Sequence, residues 1–105
     1  MIVGIEKCAV INMYSKKYIL EQIEELNGYN PLYDDIYNAV CYLAYLNVGE
    51  QGWFLCETND WLNDMQSIRT SVVQDVYYVE DCVFVETCNT RYTFRLIFDE
   101  EQNRF

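Results

Sequence analysis

The sequence predicts an α+β domain in which an N-terminal strand and a helical hairpin precede a four-stranded antiparallel meander, all within a single domain of 105 residues. Three observations predict it. Apolar residues recur at helical spacing between residues 16 and 48, Asn30-Pro31 supplies a helix start inside that span, and from Gly52 onward the apolar period drops to two residues.

Val3, Ile5, Ala9 and Ile11 alternate with Gly4, Glu6, Cys8 and Val10, a strand pattern that is apolar on nearly both sides and predicts a covered strand. Ser15 is suited to cap a helix over 16–27, with Tyr14 folding over its first turn, Ile19, Ile23 and Leu26 on its inner side, and Gly28 ending it. The outer side of this helix carries Glu21, Glu24 and Glu25. A second helix is expected from Pro31, because Asn accepts from free N–H groups of the first turn and Pro lacks an N–H that would go unpaired. Asp34 and Asp35 sit in its first turns, where the helix dipole favours negative charge. Leu32, Ile36, Ala39, Val40 and Leu43 make its buried stripe, Tyr33, Tyr37, Ala44 and Tyr45 widen the stripe, and Gly49 closes the helix.

The segment GWFLCE, residues 52–57, reads as a strand, and TNDWLNDMQ, residues 58–66, as a polar loop carrying Trp61, Leu62 and Met65. Three more strands follow over 68–79, 82–88 and 90–98, joined at Glu80-Asp81 and Asn89-Thr90 by breaks short enough for hairpins. In the last of them Tyr92, Phe94, Leu96 and Phe98 alternate with Arg91, Thr93 and Arg95, so one face is dry and one wet. Such a meander is able to curl into a partly open SH3-like barrel covered by the helical hairpin. Residues 99–105, DEEQNRF, are expected to form a solvated, fraying acidic tail.

Apolar residues at 51% and charged residues at 23% place the chain with folded proteins and away from disorder. Ten Tyr, five Phe and two Trp are more rings than so small a core encloses, which leaves some for contact with a partner. Cys8, Cys41, Cys56, Cys82 and Cys88 are odd in number, lack a C-x-x-C pair and sit among apolar residues, so they are expected to be free thiols in a reducing cytoplasm, with a Cys82/Cys88 pair as the alternative. The N-terminal MIVGIEKCAVIN has no basic n-region, and no apolar run approaches a membrane-spanning length, so neither a signal peptide nor a span is predicted.

Nucleophilic catalysis by Ser or Cys needs a base, most often His, and the chain has none. Asp60/Asp64 and Asp34/Asp35 are carboxylate pairs that could in principle hold a hard cation or serve acid–base chemistry, but Trp61 and Leu62 interrupt the alternation of oxygen ligands that a calcium loop needs. No phosphate-binding Gly-rich loop is present. Tyr77, Tyr78, Phe84, Tyr92 and Phe94 could stack on bases, yet only Arg69, Arg91 and Arg95 accompany them, against Asp75, Glu80, Asp81 and Glu86. Cross-strand pairs such as Arg91 or Arg95 with Glu86 or Asp75 are the expected use of those arginines. No catalytic residue, cofactor, metal or direct nucleic-acid contact is therefore predicted.

Seventeen acidic against seven basic residues give a formal net charge of −10, which repels nucleic acid and attracts a basic protein surface. The candidate partner-binding residues are Glu21, Glu24, Glu25, Asp34, Asp35, Asp60, Trp61, Asp64, Glu80 and Asp81. In size, acidity, absence of His and helix-plus-meander plan the chain resembles the small acidic inhibitors carried by phages and mobile elements, including anti-CRISPR and anti-restriction proteins that mimic nucleic acid. The resemblance implies a non-enzymatic inhibitor that occupies the nucleic-acid groove of a CRISPR or restriction effector. Two other readings are open: an interaction subunit or homodimer, self-associating through Trp53, Trp61, Tyr77 and the last strand's edge, and a carboxylate-dependent metal binder or enzyme.

Overall fold

Period-two alternation extends through most of the chain once β-bulges are allowed for. In the computed structural model, which describes residues 15–28, 30–57 and 65–100, it builds a closed barrel of antiparallel strands. The elements run β1 (Lys16–Glu25), α1 (Leu32–Ile36), β2 (Val40–Tyr45), β3 (Gln51–Glu57), β4 (Met65–Val79), β5 (Cys82–Thr87) and β6 (Thr90–Asp99). Each strand pairs with the next, and β1 pairs with β6 from Lys16–Asp99 to Glu25–Thr90, which closes the barrel. Closure removes the exposed edges that an open sheet would carry.

The α+β expectation is overturned: there is no helical hairpin, and the segment expected as the first helix is strand β1. A register shift between Leu20 and Gln22 explains the misreading. Leu20 pairs with Phe94 and Ile23 with Tyr92, both of which are buried, so two core-facing residues stand three apart, as on a helix. The bulge inserts a helical spacing into a strand. The partner strand β6, remote in sequence, decides the outcome, as tertiary context does when local preference is weak.

The second helix starts one residue later than expected, with Pro31 and not Asn30 at the cap position and no side-chain cap bond, and lasts only from Leu32 to Ile36. Asn38 then adopts a left-handed φ of 68°, a conformation Asn tolerates, and the chain leaves as strand β2. Ala39, Val40, Cys41, Tyr42 and Leu43 form a run covered on both sides, which periodicity alone cannot tell from a buried helix. Gly49 ends no helix but lies in the β2–β3 connection. The four-strand meander is present as β3 to β6, with β4 reaching back to include Met65 and Gln66, and the barrel is closed where a partly open one was expected. The strand expected over 3–11, the loop residues 58–64 and the tail residues 101–105 lie outside the described residues. Asp99 is buried at the end of β6, and the Glu100 N–H donates to the Ser15 carbonyl at 2.8 Å.

The core gathers Leu20, Ile36, Cys41, Phe54, Cys56, Ile68, Val73, Val83, Val85, Tyr92 and Phe94. Phe54 is at its centre, edge-on to Tyr92 at 5.5 Å and to Phe94 at 5.1 Å. Helix α1 sits over one end of the barrel, burying Ile36 and joining the Tyr33 hydroxyl to Thr90 Oγ1. On β3, the Gly52 N–H donates to Thr70 Oγ1 of β4 at 2.8 Å. A Cβ at position 52 would lie 2.9 Å from Thr70 Oγ1, 3.1 Å from Leu46 Cδ2 and 3.1 Å from Val73 Cγ2. Gly52→Ala is therefore expected to destabilise the fold by about 1–3 kcal/mol through overpacking, read as a lower urea midpoint at unchanged slope.

The Tyr92 hydroxyl is pushed well above its ordinary value of 10.0, first by burial and then by the neighbouring Tyr33. Tyr18 is raised too, by burial and then by Tyr78 and Asp99. Both shifts favour the neutral phenol in the fold. Their contribution is fully present below about pH 10 and is lost as pH climbs toward the folded-state values, since the unfolded chain then releases protons that the fold retains. Urea midpoints are expected to fall above about pH 10, and Tyr92→Phe to reduce the fall; equal midpoints on both sides of that pH would contradict the assignment. Among the described residues, no helix is long and apolar enough to cross a membrane.

Candidate functional site

On the outer face of β5, β6 and β1, alternation brings charged residues into adjacent rows. Arg91 on β6 donates from Nη1 to Glu24 Oε2 at 2.7 Å and from Nη2 to Glu86 Oε2 at 3.0 Å, bridging the two flanking strands. Arg95 donates from Nη2 and Nε to Glu21 Oε1, at 2.7 and 3.0 Å. Both guanidinium groups are held more firmly protonated by these contacts, Arg91 chiefly by Glu86 and Arg95 by Glu21. Such exposed pairs add little stability because water and salt screen them. Their effect on the surface is larger: Glu21 and Glu24, expected on an open acidic ridge of a helix, are compensated within the sheet. Glu25 is exposed at the end of β1.

The other carboxylates fall at two ends of the barrel. Asp34 and Asp35 are exposed on α1, next to the start of β6. Glu80 and Asp81 form the β4–β5 turn, next to the end of β6, where the Asp81 carbonyl accepts from the Leu96 N–H at 2.7 Å. Six strand rises along β6 from Thr90 to Leu96 put these two groups roughly 20 Å apart. The structure thus divides the expected acidic surface instead of gathering it. Asp60, Trp61 and Asp64 lie outside the described residues.

The β4–β5 turn has further features. Glu80 holds a left-handed φ of 54°, where an L side chain costs about 1–2 kcal/mol over glycine before glycine's own entropy is counted. Exposed apolar side chains frame the turn: Tyr78 at 71%, Val79 at 53%, Ile97 at 49% and Phe98 at 38% relative exposure. Lys17 Nζ stands 5.7 Å from the Phe98 ring centroid. Tyr77 stacks on Phe84 at 5.0 Å on the outer face. Sequence reasoning named Tyr77 and the two tryptophans as contact residues and Tyr78 as a base-stacking candidate, and it missed Val79, Ile97 and Phe98.

Trp53, expected at a self-interface, lines an open groove of about 450 Å³ together with Ala44, Tyr45, Glu50, Gln51 and Arg69. Its indole N–H donates to Ser67 Oγ at 2.5 Å, and the Arg69 guanidinium lies 5.4 Å from its ring centroid. The Tyr45 hydroxyl donates to Glu50 at 2.5 Å and accepts from Asn47 Nδ2 at 2.9 Å. A smaller cavity of about 120 Å³ under α1 is bordered by Asn30, Tyr33, Thr70, Asn89 and Tyr92.

Cys82 opens β5 and Cys88 follows its last residue, so the two are six positions apart along an extended segment, too far to bond to each other. Among the described residues no cluster of three or more Cys, Asp or Glu is placed to hold a metal ion. Hydrogen-bond acceptance and Coulomb attraction are what the exposed carboxylates offer, with hydrophobic contact from the side chains around Glu80 and Asp81. No known protein family, curated protein or solved structure matches this chain.

Proposed function

We propose that this protein is a non-enzymatic inhibitor that docks its acidic surface on the basic, nucleic-acid-binding surface of a nuclease or related enzyme, in the manner of anti-CRISPR or anti-restriction proteins, and acts in the cytoplasm. The observation that carries the reading is the pairing of charge. Arg91 and Arg95 are engaged by Glu21, Glu24 and Glu86, and Arg69 lies on Trp53, while Asp35, Glu80 and Asp81 remain exposed. A net charge of −10 steers the approach to a basic partner, and Tyr78, Val79 and Phe98 beside the turn supply apolar contact once it is reached. The test is capture by the tagged protein from a bacterial lysate containing CRISPR and restriction effectors, washed at about 0.1 M and about 0.5 M salt. Retention of a basic nucleic-acid enzyme that elutes at the higher salt supports the proposal; retention unaffected by salt opposes it.

The exposure of Tyr78, Val79, Ile97 and Phe98 favours a second reading, a self-associating subunit that buries apolar side chains at this end of the barrel. That reading expects a dimer at micromolar concentration whose dissociation is insensitive to salt.

A further inference from the structure

Strand β2 is thinly joined to β1. The ladder there pairs Tyr18–Cys41 and Ile19–Val40, and Leu20 adds two backbone bonds to the residues just before β2, donating to the Ala39 carbonyl at 3.0 Å and accepting from the Asn38 N–H at 2.8 Å, whereas β1 and β6 pair over their whole length. On its other side β2 pairs with β3, and Cys41 directly opposes Cys56 there. Both residues are buried, at 0% and 1% exposure, and their Sγ atoms are 3.1 Å apart. Directly opposed residues in an antiparallel ladder have Cα atoms about 4.5–5.5 Å apart, inside the range of about 4.4–6.8 Å that a disulfide spans. A sulfur movement of about 1 Å would join them. Cys82 and Cys88 have no comparable cysteine neighbour among the described residues.

We propose that Cys41 and Cys56 are a reversible redox staple, a dithiol in reducing surroundings that closes to a cross-strand disulfide on oxidation and locks β2 into the barrel. The oxidant is a low-molecular-weight disulfide such as oxidised glutathione. One cysteine thiolate attacks it, releasing one small thiol and leaving a mixed disulfide on the protein; the second cysteine attacks the protein-side sulfur and expels the second small thiol. Two cysteine thiols thereby lose two protons and two electrons, and the oxidant is reduced to two thiols. In the closed barrel the reaction is slow, because the sulfurs are buried and the hydrogen bond to Cys56, with burial, pushes the Cys41 thiol far above its ordinary range. Opening of the short β1–β2 seam is the route by which oxidant reaches the pair. Once formed, the bond closes the chain between residues 41 and 56, a loop of a length for which a disulfide raises the melting temperature of a domain this size by on the order of 10 °C.

The test incubates the full chain with oxidised glutathione a few degrees below its melting temperature, blocks residual thiols with iodoacetamide, and maps the peptides without reduction. A Cys41–Cys56 linked peptide is expected, together with a melting temperature raised by on the order of 10 °C that dithiothreitol reverses. A variant with Cys8, Cys82 and Cys88 replaced by serine should keep the shift, and Cys56→Ala, chosen over serine to spare the apolar core, should lose it. Recovery of Cys41 and Cys56 as alkylated thiols after this treatment, or a linked form that melts no higher than the reduced one, would overturn the proposal.

Discussion

Phe54→Ala is expected to cost about 3–5 kcal/mol, a large part of the total stability of a domain this size. Phe54 is fully buried and meets both Tyr92 and Phe94 edge to face, so the truncation removes apolar burial, two ring contacts and the filling between β3 and β6 at once. Among the described residues the barrel has no second layer from which to fill the gap: α1 is one short helix over one end. A drop in melting temperature of about 15 °C or more follows. Phe98→Ala, at a ring that is 38% exposed, serves as the comparison and should cost much less. Similar losses for the two variants would mean that the core is not organised around Phe54.

The second large effect concerns binding. Glu80→Lys with Asp81→Lys changes the formal net charge from −10 to −6, two units for each reversal, at a turn exposed to solvent. Lysine carries the same backbone cost as glutamate at the left-handed position 80, so the melting temperature should stay within a few degrees. Affinity for a basic partner is expected to fall at least about tenfold, with most of its salt dependence lost. Asp34→Lys with Asp35→Lys, about 20 Å away, tests whether both ends contribute. Glu21→Gln is a useful contrast. Arg95 already compensates that carboxylate, so its neutralisation should alter binding little. A loss from Glu21→Gln in proportion to its single unit of charge, against four units for the turn reversal, would show that only total charge matters.

The second half of the fold was legible in the sequence and the first half was not, for identifiable physical reasons. Strands β3 to β6 carry period-two alternation with short hairpin breaks, and cross-strand neighbours such as Glu86 and Arg91 were readable from it. Strand β1 was misread because its bulge between Leu20 and Gln22 sets core residues three apart, and its main partner, β6, lies about seventy residues further along the chain. Strand β2 was misread because a run apolar on both sides has no period to report, and only the left-handed Asn38 marks where α1 stops. These errors carried into the site. On a helix Glu21 and Glu24 would have faced solvent with Glu25; on a strand they meet Arg95 and Arg91. The exposed frame around Glu80 and Asp81 was illegible for another reason, since exposure there depends on where the barrel ends and not on the alternation within a strand.

The proposed mode of action is tested most directly by competition: a captured partner enzyme, held on the immobilised protein at about 0.1 M salt, is titrated with the nucleic acid that the enzyme binds. Stoichiometric displacement by that nucleic acid, together with weak capture by the Glu80/Asp81 reversal variant, is the expected result. A ternary complex in which enzyme, nucleic acid and this protein coexist would contradict occupation of the nucleic-acid surface.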